Sequence, residues 1–175
     1  MNKIYVIADT HFNHGNIIKY CGRPFKNESD MNESLIRRWN GTVTNSDIVI
    51  HLGDFAFHKD SKAIANYCKR LNGRKILVRG NHDRKSLSWY LNNGFDFVCD
   101  SFTIGDILFT HRPQPIKRFL LMPYKLNVHG HIHEKTILSK GLLHNVSVEV
   151  TDYYPINLDV ILNKYKLKLK RKRRG

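Results

Sequence analysis

The chain has 175 residues, of which 41% are hydrophobic, and it carries a formal net charge of +14 at pH 7. Its length fits one domain, and no apolar run approaches the roughly 20 residues of a membrane-spanning helix. The first apolar stretch is too short for a signal peptide, and three cysteines without a Cys-x-x-Cys spacing predict free thiols in the cytoplasm. Composition therefore excludes a disulfide scaffold and a membrane-spanning protein.

Five short apolar runs predict β-strands, and each is followed by polar residues. The runs cover residues 4–8, 47–52, 75–79, 106–110 and 126–129. The polar residues that follow them are Asp9-Thr10-His11, Gly53-Asp54, Gly80-Asn81-His82-Asp83, His111 and Gly130-His131-Ile132-His133. In α/β proteins ligands bind outside the carboxyl ends of strands, so these clusters predict one converging site. Glycine at 53, 80 and 130 would allow sharp turns and a close approach of the backbone.

Helices are predicted between these strands, which indicates an α/β fold. Apolar stripes with helical spacing cover residues 31–39, 63–71 and 87–91, and Asp30 with Glu33 predicts a cap for the first stripe. Further strands are predicted at 102–104 and 146–150. Residues 112–124 contain three prolines and several basic residues, and they predict a loop over the cleft that selects the substrate.

The residue types of the polar clusters favour a two-metal site. Asp, Asn and His offer oxygen and nitrogen donors without a thiolate, which suits Mn²⁺, Zn²⁺ or Fe²⁺ and disfavours Ca²⁺ or a cysteine-bound zinc. Two ions about 3.5–4 Å apart hold a phosphate ester, activate a bridging water and stabilise the leaving oxygen. Such a pair requires a bridging carboxylate, and Asp54 is the candidate.

The order Asp-x-His, Gly-Asp, Gly-Asn-His-Asp, His and Gly-His-x-His resembles the calcineurin-like metallophosphoesterases over residues 4 to about 150. The segment 9–18, followed by Arg23-Pro24-Phe25, resembles a branch of small bacterial and phage-type members. This resemblance implies a four-layer αββα sandwich, in which two mixed sheets are flanked by helices. Periodicity alone would not establish that arrangement.

The resemblance also implies a role for each ligand. One metal would be held by Asp9, His11, Asp54 and His133. The second would be held by Asp54, Asn81, His111 and His131. A hydroxide bridging the two ions would attack phosphorus in line with the leaving oxygen. His82 would donate a proton to the leaving group or stabilise the transition state.

One departure from the family pattern bears on the substrate. Ser/Thr protein phosphatases of the superfamily continue Gly-Asp into Gly-Asp-x-x-Asp-Arg-Gly, whereas this chain has Phe57 and His58 at the acidic and arginine positions. The difference disfavours a protein phosphatase and favours a phosphodiesterase or nucleotide-directed enzyme. Asp83, which follows His82, is a candidate for orienting that imidazole instead.

Two more side chains are candidates for substrate contact. His14 belongs to the predicted loop that carries Asp9 and His11. Arg112 follows His111 and could clamp a phosphate oxygen through a charge-assisted contact. The remaining histidines, at 51, 58, 129 and 144, are left out of the metal set, because packing within strands explains 51 and 129.

Basic residues are concentrated at the C-terminus, so we divide the chain into a metallophosphoesterase domain at 1–163 and a basic strand or tail at 164–175. Lysines alternate with Tyr165, Leu167 and Leu169, which predicts an edge strand at 164–170. A basic run at 164–174 attracts phosphate polyanions, and it serves equally well as a solubilising terminus. The basic excess of the whole chain favours an anionic substrate or partner but does not separate RNA, DNA, a nucleotide and an acidic membrane.

The leading hypothesis is a two-metal phosphodiesterase that acts on a nucleotide or nucleic acid. Mn²⁺ is the expected metal, and the same ligands accept Zn²⁺, Fe²⁺ or Ni²⁺. One alternative is a phosphomonoesterase acting on a small metabolite or phosphoprotein. The other is a non-catalytic nucleic-acid-binding scaffold, although such proteins tend to lose ligands and here every expected ligand is present. The oligomeric state has no signal in the sequence.

Overall fold

Two β-sheets form the centre of the computed structural model, which describes residues 2–57, 61–139 and 141–167. The larger sheet contains β1 (Ile4–Ile7), β2 (Ile48–His51), β3 (Arg74–Val78), β4 (Phe97–Cys99) and β9 (Ile156–Asn157). Its order is β4-β3-β2-β1-β9, and only the edge strand β9 runs antiparallel to its neighbour. The parallel strands β1, β2 and β3 therefore end at the same edge.

The smaller sheet contains β5 (Ser101–Ile104), β6 (Ile107–Thr110), β7 (Leu126–His129) and β8 (Leu143–Asn145). Its order is β5-β6-β7-β8, with β5 antiparallel to β6 and the other neighbours parallel. Each of the five strands predicted to precede a polar cluster is thus present, with bounds that differ by at most one residue at each end.

In the described part of the chain, six α-helices accompany the strands. They are α1 (Gly15–Tyr20), α2 (Glu28–Thr42), α3 (Ser61–Arg70), α4 (Leu87–Asn92), α5 (Ile116–Phe119) and α6 (Leu158–Lys164). The longest, α2, has 15 residues, and within the described ranges none of the helices is long and apolar enough to cross a membrane. Cys21, Cys68 and Cys99 are free thiols, as the sequence predicts.

Alternation along the strands produces two apolar cores. Tyr5 and Ile7 of β1 belong to the core that contains Leu35 and Trp39 of α2. Val6 and Ala8 belong instead to the core between the two sheets, because successive strand side chains point to opposite faces. The helices α2, α3 and α4 therefore cover the outer face of the larger sheet.

The second core joins the larger sheet to the smaller one. It contains Phe109 of β6 and Val128 of β7, together with Leu158 and Ile161 of α6. The short helix α5 lies on the far side of the smaller sheet, where its Arg118 lines the same cavity as outward-facing residues of β6. Two mixed sheets flanked by helices confirm the predicted fold class.

The expected strand at 146–150 is wrong. Residues Val148–Val150 form a 3₁₀ helix, and the strand of this region is β8, which ends at Asn145. The Val146 amide donates to His129 of the smaller sheet, and the Val148 amide donates to Ala8 of the larger one. Val146 and Val148 are buried, whereas Val150 is exposed, and the segment that contains them crosses between the sheets.

The expected edge strand at 164–170 is also wrong where the structure describes it. Lys164 ends α6, and a turn follows it. Leu158, Ile161 and Leu162 are buried at helical spacing, and Asn157 caps the helix by accepting from the Asp159 amide. This apolar stripe determines the local structure, so the alternation of lysines beyond it does not start a strand. Residues 168–175 lie outside the described ranges.

Two expectations about helices also need correction. The predicted loop at 112–124 contains α5, which makes it more ordered than its prolines indicate. The cap of α2 is Asn27 and not Asp30: Asn27 Oδ1 accepts from the Asp30 amide at 2.9 Å, and Asp30 Oδ2 accepts from the Lys26 amide at 2.9 Å. Asp30 therefore lies in the first turn and supports the cap reciprocally.

We expect Asn27→Ala to lower the free energy of unfolding by about 1 kcal/mol, because it removes the acceptor at the start of α2. Gly41→Ala provides a control of opposite sign near the end of the same helix, since open space surrounds the added Cβ. It should stabilise the protein by about 0.4–1 kcal/mol. Urea denaturation measures both values, and an unchanged midpoint for Asn27→Ala would contradict this role of the cap.

Candidate metal centre

Backbone hydrogen bonds hold the predicted clusters side by side at the carboxyl ends of the strands. The Asp9 amide donates to Gly53 O at 3.0 Å, and the His11 amide donates to Asp54 O at 3.0 Å. In the smaller sheet the Gly130 amide donates to His111 O at 3.0 Å. The segments that follow β1 and β2 therefore run together, as do those that follow β6 and β7.

Several of the candidate ligands have an uncommon backbone conformation. Positive φ angles occur at Asp9 (59°), His11 (49°), Asp54 (55°), His131 (73°) and His133 (53°). Non-glycine residues seldom adopt this left-handed region, and those that do cluster at functional sites, where the surrounding structure maintains the strain. The chain therefore turns immediately after β1, β2 and β7, which directs these side chains to a common centre.

One group of candidate ligands consists of Asp9, His11 and His133, whose ligand atoms lie within 4.8 Å of one another. Asp9 Oδ1 and His11 Nε2 are buried and have no hydrogen-bond partner. Buried polar atoms are nearly always partnered, so an orphaned oxygen beside an orphaned nitrogen fits a cation. The metal expected from the sequence therefore fits this group.

A second group consists of Asp54, His111 and His131. Asn81 joins it, since its Oδ1 lies 3.1 Å from His111 Nε2. His111 Nδ1 lies 2.8 Å from the Leu52 carbonyl, and donation to that carbonyl leaves the Nε2 lone pair directed into the group.

Asp54 lies between the two groups. Its Oδ2 is 3.6 Å from His11 Nε2 of the first group and 3.5 Å from His111 Nε2 of the second. Its Oδ1 accepts from the His82 amide at 2.8 Å, which fixes the orientation of the carboxylate. One oxygen facing both groups is the geometry that a bridging ligand requires.

Electrostatics favour the neutral, ligand forms of His11 and His131. Burial lowers the pKa of His11 well below its ordinary value, and burial together with the His111 charge lowers the pKa of His131 to about 4. Burial raises the pKa of Asp9 to about 7, and the Asp54 charge adds to this effect. Neutral imidazoles and crowded carboxylates are the groups that a divalent cation stabilises.

A buried carboxylate that sequence analysis missed supports His133. Burial would raise the pKa of Glu149, but the hydrogen bond from His133 and the charge of Arg23 hold it below its ordinary value. Glu149 Oε1 lies 2.8 Å from His133 Nδ1 and 2.6 Å from Arg23 Nη2. Carboxylates in this position orient ligating histidines. The sequence signal that could have identified Glu149 is its position as an isolated acid between two valines, because a charge in an apolar run requires a partner.

Arg23 also holds the first strand-end loop, although the sequence offered it only as part of a family motif. Its guanidinium is buried and donates to Asp9 O at 2.7 Å and to Thr10 O at 3.1 Å. Ser147, which was also missed, donates to Asp9 Oδ2 at 2.8 Å, and the His131 amide donates to the same oxygen at 2.9 Å. These bonds occupy Oδ2 and leave Oδ1 for a cation.

Asp83 was a candidate for orienting the His82 ring, but its hydrogen bonds go to backbone amides. Its carboxylate accepts from the amides of Asp54 (2.7 Å), Gly80 (2.8 Å) and Phe55 (3.2 Å). Asp83 thus joins the segments that follow β2 and β3. Burial raises the pKa of its carboxyl to about 6, and the amide bonds oppose this shift.

The close approach predicted for the glycines is confirmed. A Cβ at Gly80 would lie 2.1 Å from Asp54 Oδ1, and a Cβ at Gly130 would lie 2.5 Å from Asp9 Oδ2. Any side chain at either position would displace a carboxylate of the centre. Gly53, with φ of 93°, packs against Gly80 in the same way.

His82 lies at the rim and belongs to neither group. Its Nε2 is 4.0 Å from Asp54 Oδ2, and 30% of its side chain is exposed. Phe57, itself half-exposed, meets the His82 ring edge-on at 5.6 Å between centroids, so an aromatic ring contacts this imidazole. His14 stacks on Phe57 at 4.2 Å, and its Nδ1 lies 3.3 Å from His11 Nδ1.

The histidines left out of the metal set have other contacts. His51 Nε2 lies 3.0 Å from Thr10 Oγ1, and burial lowers its pKa to about 3. His129 Nδ1 lies 2.9 Å from the Gly130 carbonyl, and His144 Nδ1 lies 3.1 Å from the Tyr165 hydroxyl. His58 lies outside the described residues.

A cavity of about 410 Å³ is lined by the candidate ligands His131 and His133. Two larger cavities also adjoin the centre. One, of about 620 Å³, is lined by His82, Phe57, Asn13, Lys85 and Tyr90 among others. The other, of about 530 Å³, is lined by Asn81, His111, Arg112 and Arg118 among others. The two candidates for substrate contact are therefore separated: His14 stacks on Phe57 of the first cavity, and Arg112 lines the second, with its Nη2 3.4 Å from Asn81 Oδ1.

Comparison with known proteins decides the family. The calcineurin-like phosphoesterase superfamily domain matches residues 2–150. The chain belongs to this superfamily. Calcineurin-like phosphoesterases hydrolyse phosphate esters at a two-metal centre, which confirms the predicted family and agrees with the two groups of candidate ligands.

Relatives of this calcineurin-like phosphoesterase cover most of its length. The uncharacterized protein MJ1445 of Methanocaldococcus jannaschii is 38% identical over an alignment of 176 positions, which covers 93% of this chain and 90% of the relative. The AQ665 protein of Aquifex aeolicus, of unknown function, has a TM-score of 0.76 at 29% identity and is matched over 94% of this chain and 100% of its own.

A more distant similarity concerns the fold alone. Nuclease MPE of Pseudomonas putida has a TM-score of 0.51 at 22% identity. The matched region covers 74% of this chain and 61% of the nuclease.

The contacts of His133 lead to a pH prediction for the protein in a chelator. Burial opposes the charged imidazole, but hydrogen bonds to Cys21 and Glu149 and the charges of Glu149 and Asp9 raise its pKa from 6.5 to about 10. The folded chain thus keeps a proton that the unfolded chain releases. The resulting stabilisation is complete below pH 6.5 and is lost as pH rises to 10.

We therefore expect the free energy of unfolding of the metal-free protein to fall between pH 7 and pH 10. Glu149→Gln should make this fall shallower, whatever its effect on stability at pH 7, because it removes one of the charges that hold the proton. Urea denaturation at both pH values measures the slope. Equal slopes for wild type and variant would show that Glu149 does not hold the His133 proton.

Proposed function

We propose that this protein is a two-metal phosphodiesterase that acts on a nucleotide or nucleic acid. The position of Asp54 Oδ2 between two groups of nitrogen and oxygen donors carries the proposal. The first metal is assigned to Asp9, His11, Asp54 and His133. The second is assigned to Asp54, Asn81, His111 and His131. We propose Mn²⁺, since these donors are carboxylate, amide and imidazole without thiolate.

The bound metals supply Lewis-acid stabilisation of charge on the phosphate oxygens and an activated water. The chain's own residues orient the reacting groups. Arg23, Glu149 and Ser147 fix the first group, and Asp83 fixes the backbone of the second. A ligand set held in this way is preorganised, so little reorganisation is needed during the reaction.

His82 is assigned the proton transfer to the leaving oxygen. Its amide is bound to Asp54, so its ring stays beside the ligand groups while remaining partly open to solvent and to the larger cavity. A general acid must reach the leaving oxygen and must not be a metal ligand, and His82 satisfies both conditions.

Two observations favour a diester over a monoester. First, Phe57 contacts the His82 ring at the position where protein phosphatases of the family have an acid. Second, the centre has a cavity beside His82 and another beside Asn81 and His111. A phosphodiester has a substituent on each side of phosphorus, so its two substituents fit these two larger cavities, whereas a monoester would occupy only one of them.

The charge of the chain favours a substrate with phosphate groups. The formal net charge is +14, and Lys85, Arg112 and Arg118 line the two cavities. A positive surface speeds the encounter with polyanions such as nucleic acids. The fold of the Pseudomonas putida protein occurs in a nuclease, but the proposal depends on the charges and cavities of this chain. Free thiols at Cys21, Cys68 and Cys99 support placement in the cytoplasm.

Hydrolysis of bis-p-nitrophenyl phosphate beside p-nitrophenyl phosphate, with Mn²⁺ added, tests the reaction class. We expect a higher kcat/KM for the diester, and release of nitrophenolate measures it. Preference for the monoester would replace the proposal with a phosphomonoesterase. A protein that holds two metals, binds nucleic acid and cleaves neither ester would indicate a binding scaffold.

Substitutions at two residues should affect metal content and turnover differently. Asp54→Asn should lower the bound metal and abolish turnover, because it removes the charge shared by both groups. His82→Ala should keep two metals and lower kcat by about 10²–10⁴-fold, the usual contribution of a general acid. Elemental analysis of the dialysed proteins measures metal, and circular dichroism checks that both fold. Full turnover in metal-loaded His82→Ala would remove His82 from this role.

A further inference from the structure

The cavity beside Asn81 and His111 carries more positive charge than a scissile phosphate requires. Three arginines line it, at 79, 112 and 118, and Asp100 is the acidic residue among the described lining residues. Arg79 forms an ion pair with Asp100, because its Nε and Nη2 lie 2.9 and 2.6 Å from Asp100 Oδ1. Arg79 and Asp100 therefore largely neutralise each other.

Arg112 and Arg118 are left as uncompensated cations in this cavity. Within residues 2–57, 61–139 and 141–167, neither forms an ion pair. Arg112 is already beside the proposed second metal, since its Nη2 lies 3.4 Å from Asn81 Oδ1. Arg118 lies farther along the chain on α5 and has no contact with the candidate ligands.

The rest of the wall is mixed: Leu108 and Met122 are apolar, and the polar groups beside them suit a sugar phosphate. Ser101, Gln114 and Tyr124 offer side-chain hydroxyl and amide groups. A volume of about 530 Å³ is within the range of small-ligand sites. The cavity beside His82 differs, because Phe57 and Tyr90 give it aromatic walls.

We propose that Arg118, together with Arg112, binds a second phosphate of the substrate, one that is not cleaved. This inference rests on the proposed phosphodiesterase function and narrows it to substrates that carry a phosphate beyond the scissile one. Arginine presents a planar fork of donors that matches phosphate geometry, which makes it better suited to this contact than lysine. The second phosphate is either the next phosphodiester of a strand or a terminal phosphate of a short nucleotide.

The test compares substrates that all contain the phosphodiester of TpT, and the products show which bond of TpTpT is cleaved. TpT has no second phosphate, pTpT and TpTp add a terminal phosphate on either side, and TpTpT adds a neighbouring diester. We expect kcat/KM to be about tenfold higher for at least one extended substrate than for TpT, the worth of one charge-assisted contact. Arg118→Ala should abolish this ratio. Chromatography of the products measures each rate.

Lys117→Ala is the matched control. Lys117 is the neighbouring basic residue of α5, is exposed and does not line this cavity. It should keep the tenfold ratio, although it removes the same charge. A preference for pTpT or TpTp would assign a terminal phosphate, and a preference for TpTpT alone would assign a strand. Equal loss of the ratio in both variants would overturn the site, because the effect would then be general electrostatics.

Other outcomes distinguish this inference from the proposed function. If wild type cleaves TpT, pTpT, TpTp and TpTpT at equal kcat/KM, the phosphodiesterase stands and the second-phosphate site is wrong. If no dinucleotide is cleaved although two metals are bound, the proposed function fails. Calorimetric binding of pTpT and TpT to the metal-free protein then decides the site: tighter pTpT binding that Arg118→Ala removes supports it, and equal binding overturns it.

Discussion

Burial of two neighbouring carboxylates is the constraint on which the rest of the centre depends. Asp9 and Asp54 have almost no exposure, and the charge of Asp54 raises the pKa of Asp9 in addition to the effect of burial. Ionised carboxylates without compensation are costly inside a protein, and burial keeps the nearby imidazoles of His11 and His131 neutral by lowering their pKa values. Divalent cations resolve this conflict, so the groups that would destabilise an apoprotein are the ones that make the site selective for metal.

The fold stabilises this arrangement through bonds made away from the metals. Arg23 and Glu149 are a buried pair that contacts both the first loop and His133, and removal of either would leave the other charge uncompensated. Asp83 joins two strand ends through backbone amides. These contacts keep the strained left-handed residues in place, because the backbone has no alternative that would retain the same bonds. Local strain is thus offset by a network that spans both sheets.

The periodicity of apolar residues and the order of the candidate ligands in the sequence predicted most of the fold and of the candidate site. Apolar runs of strand length ended at polar residues, so Asp9, Asp54 and His111 could be placed at strand ends from the sequence. The rest depended on long-range contacts that leave little local pattern. Glu149 lies 126 residues from Arg23 along the chain, and the segment that carries it has strand-like alternation yet crosses between sheets. Asn27 was missed as a cap because Asp30 has the same capping chemistry three residues later.

Charge in this protein acts at two ranges, which have different consequences. The net charge of +14 acts at a distance, is screened by salt over about 8 Å at physiological ionic strength and accelerates encounters with any polyanion. Arg112 and Arg118 act within one cavity, where a phosphate must fit between defined donors. Screening weakens the first effect much more than contact hydrogen bonds, so discrimination among phosphate esters should persist in salt that slows association. If the proposed second-phosphate site is right, selectivity depends on the segment 112–124 and not on the overall basicity of the chain.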